Sequence, residues 1–261
     1  PGPWPLPVVW EDGHLLVVNK PAGMAVHASS FVPETPTVAG ALAWQRGADF
    51  IFHPVNRLDK GTTGLMAVAK SVYIHDLLRR QLHTPEFARE YRAVCLGCPQ
   101  PPEGVVDAPI GRDEPSPVRR RVRSDGAPAR TEYQVLAQAR GMSLLRVVPQ
   151  TGRTHQIRVH MAYLNHPVLG DPVYGGLRKG FPELAGQCLH ARRLTFRHPR
   201  TGEGDLAGGC ELIDHVAVSG LPAQAQNIRE GDELPLQFMD TVGIVPHQHE
   251  VRGGGPHSRQ T

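Results

Sequence analysis

One stretch constrains this chain more than any other: HPVNRLDKGTTGLMAVAKS, from His53 to Ser71. Leu65 to Ala69 is an unbroken apolar run closed by Lys70-Ser71, which predicts a short buried strand. Lys60 to Gly64 predicts the turn that leads into it. Two glycines supply backbone freedom there, and two hydroxyls can bond neighbouring amides. Asn56-Arg57-Leu58-Asp59 puts one acid beside one base just ahead of that turn. An acid on a tight turn against a buried strand is fixed in place and partly dry. Chemistry uses such a place, but ordinary turns also use Asp and Gly, so this stretch alone supports both readings.

A second stretch favours chemistry. Gln150 to Met161, QTGRTHQIRVHM, carries two arginines and two histidines with little apolar content. Thr154 is the expected cap of a helix in which Ile157, Met161 and Leu164 share one face. Arg153 then stands just ahead of a helix N-terminus, a place suited to a phosphate or a carboxylate.

Around these stretches the chain reads as many short strands and few helices. Val8 to Trp10 and Leu15 to Lys20 predict a hairpin across Asp12-Gly13, and Met24 to His27 a further extended run. Thr37 to Trp44 and His75 to His83 have helical spacing, the second with Leu77, Leu78 and Leu82 on its buried side. Ala88 to Val94 is strand-like, and Arg130 to Ala137 is expected to pair with Ser143 to Val148. VRRRVRSDGAPA, 118–129, predicts a basic hairpin or loop.

The net charge of +3 is only mildly basic, but its distribution is uneven. Arg119 to Arg123, Arg153 with Arg158, and Arg192-Arg193 with Arg197 and Arg200 are local clusters that favour a polyanionic partner. Cys95 and Cys98 lack the second pair a zinc ribbon needs, so small core side chains are expected and no metal. No signal peptide and no apolar run of bilayer length is present, which predicts a cytoplasmic protein with no membrane partner. His247, His249 and His257 are too poorly spaced for a metal site.

Together, residues 56–64 and 151–160 resemble the RluA-type pseudouridine synthases, which isomerise uridine in RNA. The family's acid motif reads roughly His/Asn-Arg-Leu-Asp-x-x-Thr-Ser-Gly, and this chain departs from it only by Thr63 for Ser. The later motif, Thr-Gly-Arg-Thr-His-Gln-Ile/Leu-Arg-x-His, is matched throughout. Five more blocks follow the family's order: EDGHLLVVNKPAGMAVH (11–27), REYRAV (89–94), VDAPIGRD (106–113), HPVLGDPVYGG (166–176) and LHARRLTFRHPRTGE (189–203). The resemblance runs from about Val9 to Gly202.

The resemblance implies an α+β fold: a mixed, mainly antiparallel sheet with flanking helices and a central cleft. It implies Asp59 as the catalytic carboxylate, Arg153 as its ion-pair partner and Tyr91 as a stacking face for the base. Arg57 matches the side chain that fills the hole left by a flipped uridine, and Lys20 with Pro21 the floor of the cleft. Thr62, His155, Gln156 and Arg158 fall at matching positions and are expected to bind substrate. Arg158 and the 119–123 cluster are expected at phosphates, whereas Asp171 in Gly170-Asp171-Pro172 is expected to be a turn residue. The isomerisation balances atoms and electrons, so no cofactor is expected. The partner is ribosomal or transfer RNA, with a lean toward the large ribosomal subunit, and the chain is expected to act as a monomer. No S4 RNA-binding module is expected, because the catalytic hairpin begins almost at once.

Residues 1–205 form the expected catalytic domain and 206–261 a C-terminal extension of unknown role. Glu211 to Val218 and Leu234 to Val245 read as strands, and the end of the chain as disordered. Two other readings compete. One is an RNA-binding module whose synthase site has decayed. The other is a glycosidic hydrolase, which requires two acids at a set separation, and no second acid is marked.

Overall fold

The computed structural model describes residues 4, 6–28, 35–47, 49–82, 84–139, 141–175, 184 and 186–200. The expected extension, 206–261, with its two strands, lies outside the described residues.

The hairpin forms where expected. β1 (Val8–Glu11) pairs with β2 (Leu15–Lys20), and Asp12 Oδ1 closes the turn by accepting from the His14 and Leu15 amides at 2.7 and 2.8 Å. β3 (His53–Pro54) and β2 both pair antiparallel with β4 (Thr63–Ala69). Every residue of β2 and β4 is buried, because both faces are covered. Helix α2 (Val72–Gln81) brings Ile74 and Leu78 against Leu15, Val17, Leu65 and Ala67; α1 (Val38–Arg46) brings Val38 and Leu42 against Leu16, Val18, Met66 and Val68. Coverage on both sides explains an apolar run without alternation. Thr37 caps α1 by accepting from the Gly40 amide. Ser71 caps α2 by accepting from Ile74, so that helix starts earlier than its apolar spacing predicts. Met24 to His27 is not a strand and contributes only the bridge from Ala25 to Thr37.

The second half of the sheet is antiparallel. β5 (Ala88–Leu96) pairs with β10 (Met142–Pro149), which pairs with β9 (Arg130–Ala139), which pairs with β6 (Glu103–Asp107). β7 (Ile110–Arg112) and β8 (Arg120–Val122) form a separate two-stranded hairpin in the basic region. Helix α3 (Gln156–Tyr163) lays Ile157, Met161 and Leu164 on Tyr91, Ala93, Leu145 and Val147, the face its spacing predicts. β11 (Leu189–Thr195) then returns to join the halves, parallel to β4 and antiparallel to β5. The nine-stranded sheet runs β1-β2-β4-β11-β5-β10-β9-β6 with β3 beside β4, a mixed and mainly antiparallel sheet.

The seam between β4 and β11 depends on Gly64. Its φ is +112°, and a Cβ there would lie 2.3 Å from the Ala191 carbonyl oxygen. Beside it, Thr63 Oγ1 and His190 Nδ1 are 2.9 Å apart in the dry interior.

Candidate active site

A cleft of about 660 Å³ opens along this seam. Its lining includes Arg57, Asp59, Thr62, Tyr91, Arg153, His155, Gln156 and Arg158, drawn from the Asp59 turn, β5 and the start of α3.

The Asp59 turn is tied to the strand it precedes. Asn56 Oδ1 accepts from the Ala67 amide at 2.9 Å, and the Thr62 amide donates to the Asp59 carbonyl at 3.0 Å. Leu58 is buried in the core beneath α3, whereas Arg57 beside it is exposed on the cleft. The Asp59 side chain is 26% exposed. Its Oδ2 accepts from Arg158 Nη1 at 2.8 Å and lies 3.9 Å from His155 Nε2. Among the described residues, its other oxygen, Oδ1, meets no donor.

The expected pairing of Asp59 with Arg153 is corrected: the guanidinium at Asp59 belongs to Arg158. Arg153 is exposed and its Nε donates to the Pro128 carbonyl at 2.9 Å. The helix starts only at Gln156, with His155 before it in the left-handed region (φ 58°) and no capping side chain. Thr154 is therefore not the cap, and Arg153 lies outside the helix. Arg158, on the first turn, is the side chain that the helix drives inward.

Arg158 is 4% exposed, so it is not the expected phosphate contact. Its Nε and Nη2 donate to the two oxygens of Asp171 at 2.6 and 2.9 Å, and the Tyr174 ring centroid lies 5.1 Å from its Cζ. Burial pulls the guanidinium's pKa down, but the bonds to Asp171 and the charge of Asp59 outweigh it and hold it above the ordinary arginine value. Asp171 is a turn residue, as expected: its Oδ1 also accepts from the Val173 and Tyr174 amides at 2.9 and 3.2 Å. It is also a fully buried counterion, which the sequence reading missed.

Tyr91 is 7% exposed on the cleft wall. Burial pushes its phenol up, Asp59 adds to this and Arg89 opposes it, so the hydroxyl keeps its proton near neutral pH. His155 Nδ1 lies 2.9 Å from the Tyr174 hydroxyl, which accepts from the Arg120 amide at 2.9 Å. Burial lowers the His155 pKa while Asp59 resists, so the ring is mostly neutral at pH 7.

Three side chains expected at the substrate have partners inside the protein, although Thr62 and Gln156 also line the cleft. Lys20 does not line the cleft; it is 0% exposed, and Nζ donates to the carbonyls of Pro21, Met24 and Lys60 at 2.8, 2.9 and 3.1 Å. Burial pulls its pKa down to about 7, against the pull of Asp59. The lysine fastens the turn after Asp59 to the end of β2. Gln156 has its amide engaged inside the protein: Oε1 accepts from Thr151 Oγ1 and the Arg153 amide, and Nε2 donates to the Arg130 carbonyl and Thr131 Oγ1. Thr62 Oγ1 accepts from Gln187 Nε2 at 2.9 Å and is buried.

The 119–123 cluster is partly neutralised at home. Arg119 and Arg121 pair with Asp113, Arg123 pairs with Asp125, and Arg120 Nη1 turns to the carbonyls of 117–119. Arg89 was not foreseen as a cleft residue. It lies two residues before Tyr91 on β5, lines the cleft and donates from Nη2 to the Thr151 carbonyl at 3.2 Å. The strand period carries that signal, since i and i+2 share a face. Cys95 is a core side chain, as expected, with a thiol pushed up by burial. Among the described residues no group of His, Cys, Asp and Glu is arranged to hold a metal, and no helix is long and apolar enough to cross a membrane.

Comparison with known proteins adds independent findings. A family model described as RNA pseudouridylate synthase matches residues 14–163. The chain is 42% identical over 254 residues to a ribosomal large subunit pseudouridine synthase D of Vibrio parahaemolyticus, covering 90% of this chain and 75% of that protein. It is 39% identical over 228 residues to YhcT of Bacillus subtilis, an uncharacterized RNA pseudouridine synthase, covering 85% of this chain and 71% of that protein. Among solved structures, human RNA pseudouridylate synthase domain containing 1 matches with a TM-score of 0.61 and 27% identity, over 76% of this chain and 80% of that one.

Proposed function

The chain belongs to the RluA-type RNA pseudouridine synthases, an isomerase family that turns uridine in RNA into pseudouridine, and we propose that Asp59 is the carboxylate that does the work here. The observation that carries this reading is the Asp59–Arg158 pair at 2.8 Å on the cleft, with one acid oxygen bonded and the other without a donor among the described residues. The reaction breaks the C1′–N1 bond, turns the uracil and rejoins it through C5. A carboxylate is needed to attack C1′ or to take a sugar proton, and the free Oδ1 suits either role. Arg158 holds the acid in a fixed orientation on the cleft. Tyr91 offers the extruded base a face to stack on, and exposed Arg57 is placed to fill the gap in the RNA. Extrusion costs a few kcal/mol, so both aids matter.

Ribosomal large-subunit RNA is the proposed substrate, ahead of transfer RNA; the name of the Vibrio relative supports it. Residues 1–205 form the catalytic domain in this reading, acting as a cytoplasmic monomer, and 206–261 are dispensable for the chemistry. The test is direct. Large-subunit RNA from cells lacking the gene is incubated with the protein, and pseudouridine is mapped by carbodiimide adducts. Wild type should add pseudouridine, and Asp59→Asn should add none while binding RNA within about twofold of wild type, since phosphate contacts dominate affinity. Equal yields would overturn the assignment of Asp59; binding without yield from either protein would favour a decayed module.

A further inference from the structure

We propose that Asp171 is a positioning residue: it holds Arg158 so that only one nitrogen of the guanidinium reaches Asp59, which leaves Asp59 Oδ1 free for the substrate. The inference rests on Asp59 being the catalytic carboxylate and explains why an arginine beside it does not disable it. A free guanidinium meets a carboxylate by preference through two parallel bonds, one to each oxygen. At Asp59 that geometry would engage both oxygens and make each a poorer nucleophile or base toward C1′ or a sugar proton. Here the Nε/Nη2 edge is already held by Asp171 at 2.6 and 2.9 Å, and only Nη1 extends to Asp59 Oδ2.

The clamp is itself rigid. Asp171 is 0% exposed, and the Val173 and Tyr174 amides fix its Oδ1. Its loop is fastened to β5, where the Leu169 amide donates to the Val94 carbonyl at 2.8 Å on the strand that bears Tyr91. The Tyr174 ring lies against the guanidinium at 5.1 Å, so Asp171 fixes its edge and Tyr174 its face. Charge points the same way. Two acids face one base, so formal charge is left over on the cleft side, as a base or nucleophile needs. A pair that served the fold alone would not need a third N–H aimed at the acid.

The test is a double-mutant cycle read in kcat. Full-length protein acts on a large-subunit ribosomal RNA transcript labelled with tritium at uridine C5, which the reaction releases. Asp171→Asn keeps size and removes the charge; its kcat should fall about 10²-fold, the scale of a misplaced reacting group, with KM within about twofold. In an Arg158→Gln background the same change should add less than about threefold, because Asp171 acts only through Arg158. Unchanged kcat in Asp171→Asn would overturn the proposal, as would two losses that simply multiply. If a variant at either position fails to fold, Tyr174→Leu carries the test: it leaves both charges and removes the stacked ring. A kcat lowered at unchanged KM would support the clamp, and an unchanged kcat would overturn it. Asp59→Asn runs alongside. Turnover by that variant would overturn the assignment of Asp59 itself, a result distinct from failure of the clamp.

Discussion

Two aspartates meet Arg158 from opposite sides, and the loops that carry them differ in almost every respect. Asp59 stands on a turn ahead of β4 with its side chain 26% exposed and a single hydrogen bond from the arginine. Asp171 stands behind the guanidinium with its side chain 0% exposed, and four N–H groups donate to it. The same residue type facing the same cation is a reactive group on one side and a fixture on the other. What separates them is whether an oxygen remains for something outside the protein.

The largest expected effect is on the open side. Asp59→Asn should reduce turnover by at least about 10⁴-fold, the scale of losing a catalytic nucleophile, while the melting temperature barely moves. Asp171→Ala should show the opposite balance in stability. It leaves Arg158 buried with two donors unmet, for which about 3–5 kcal/mol is expected in denaturant titration. If the two variants were equally stable, the distinction between fixture and reactive group would fail.

Acid tests the buried side in another way. Burial depresses His190 to about 4 from an ordinary 6.5, with Arg192 and Arg92 adding to the effect, and burial also lowers His160. A histidine kept neutral in the fold binds fewer protons than in the unfolded chain. Its contribution is therefore complete above pH 6.5 and is lost as pH falls toward 4. For His190 alone the loss is about 3 kcal/mol. Urea titrations across that window should show the decline, and His190→Gln should flatten it. A stability independent of pH in the wild type would contradict the dry seam between β4 and β11.

Gln156→Ala sharpens the comparison from within the motif. It leaves several internal donors and acceptors unmet at the start of α3, and about 2 kcal/mol of stability should be lost with little change in RNA affinity. A raised RNA dissociation constant at unchanged stability would show that the amide faces substrate. The smallest effect is expected at Arg153, whose exposed guanidinium meets, among the described residues, only a backbone carbonyl. Arg153→Ala should leave kcat within about threefold and weaken RNA binding modestly, as loss of one phosphate contact does. Abolished turnover would restore it as the partner of Asp59.

Much of the fold was legible along the chain. Leu65 to Ala69 reads as a buried strand because nothing polar interrupts it, and two helices do cover both of its faces. Ile157, Met161 and Leu164 read as one helix face and pack as one. The site was legible in its residue types: the acid, the tyrosine and the arginine-rich motif all line one cleft. What misled was a cap. Thr154 looks like a helix start, yet His155 takes a left-handed conformation there, which leaves Arg153 outside the helix and Arg158 within it.

The sequence by itself determined which segments become strands and helices and which chemical groups the cleft has at its disposal. Those properties follow from side-chain period and functional-group chemistry, both set within a few residues. Only the tertiary structure decided which arginine meets Asp59, that Asp171 holds it from behind, and that Lys20 and Gln156 serve the scaffold. Asp59 and Arg158 are 99 positions apart, and they meet because β11 closes the sheet and α3 packs across it with one particular rotation. A guanidinium's partner depends on where the helix begins and which face the core pulls inward, and no local pattern carries that.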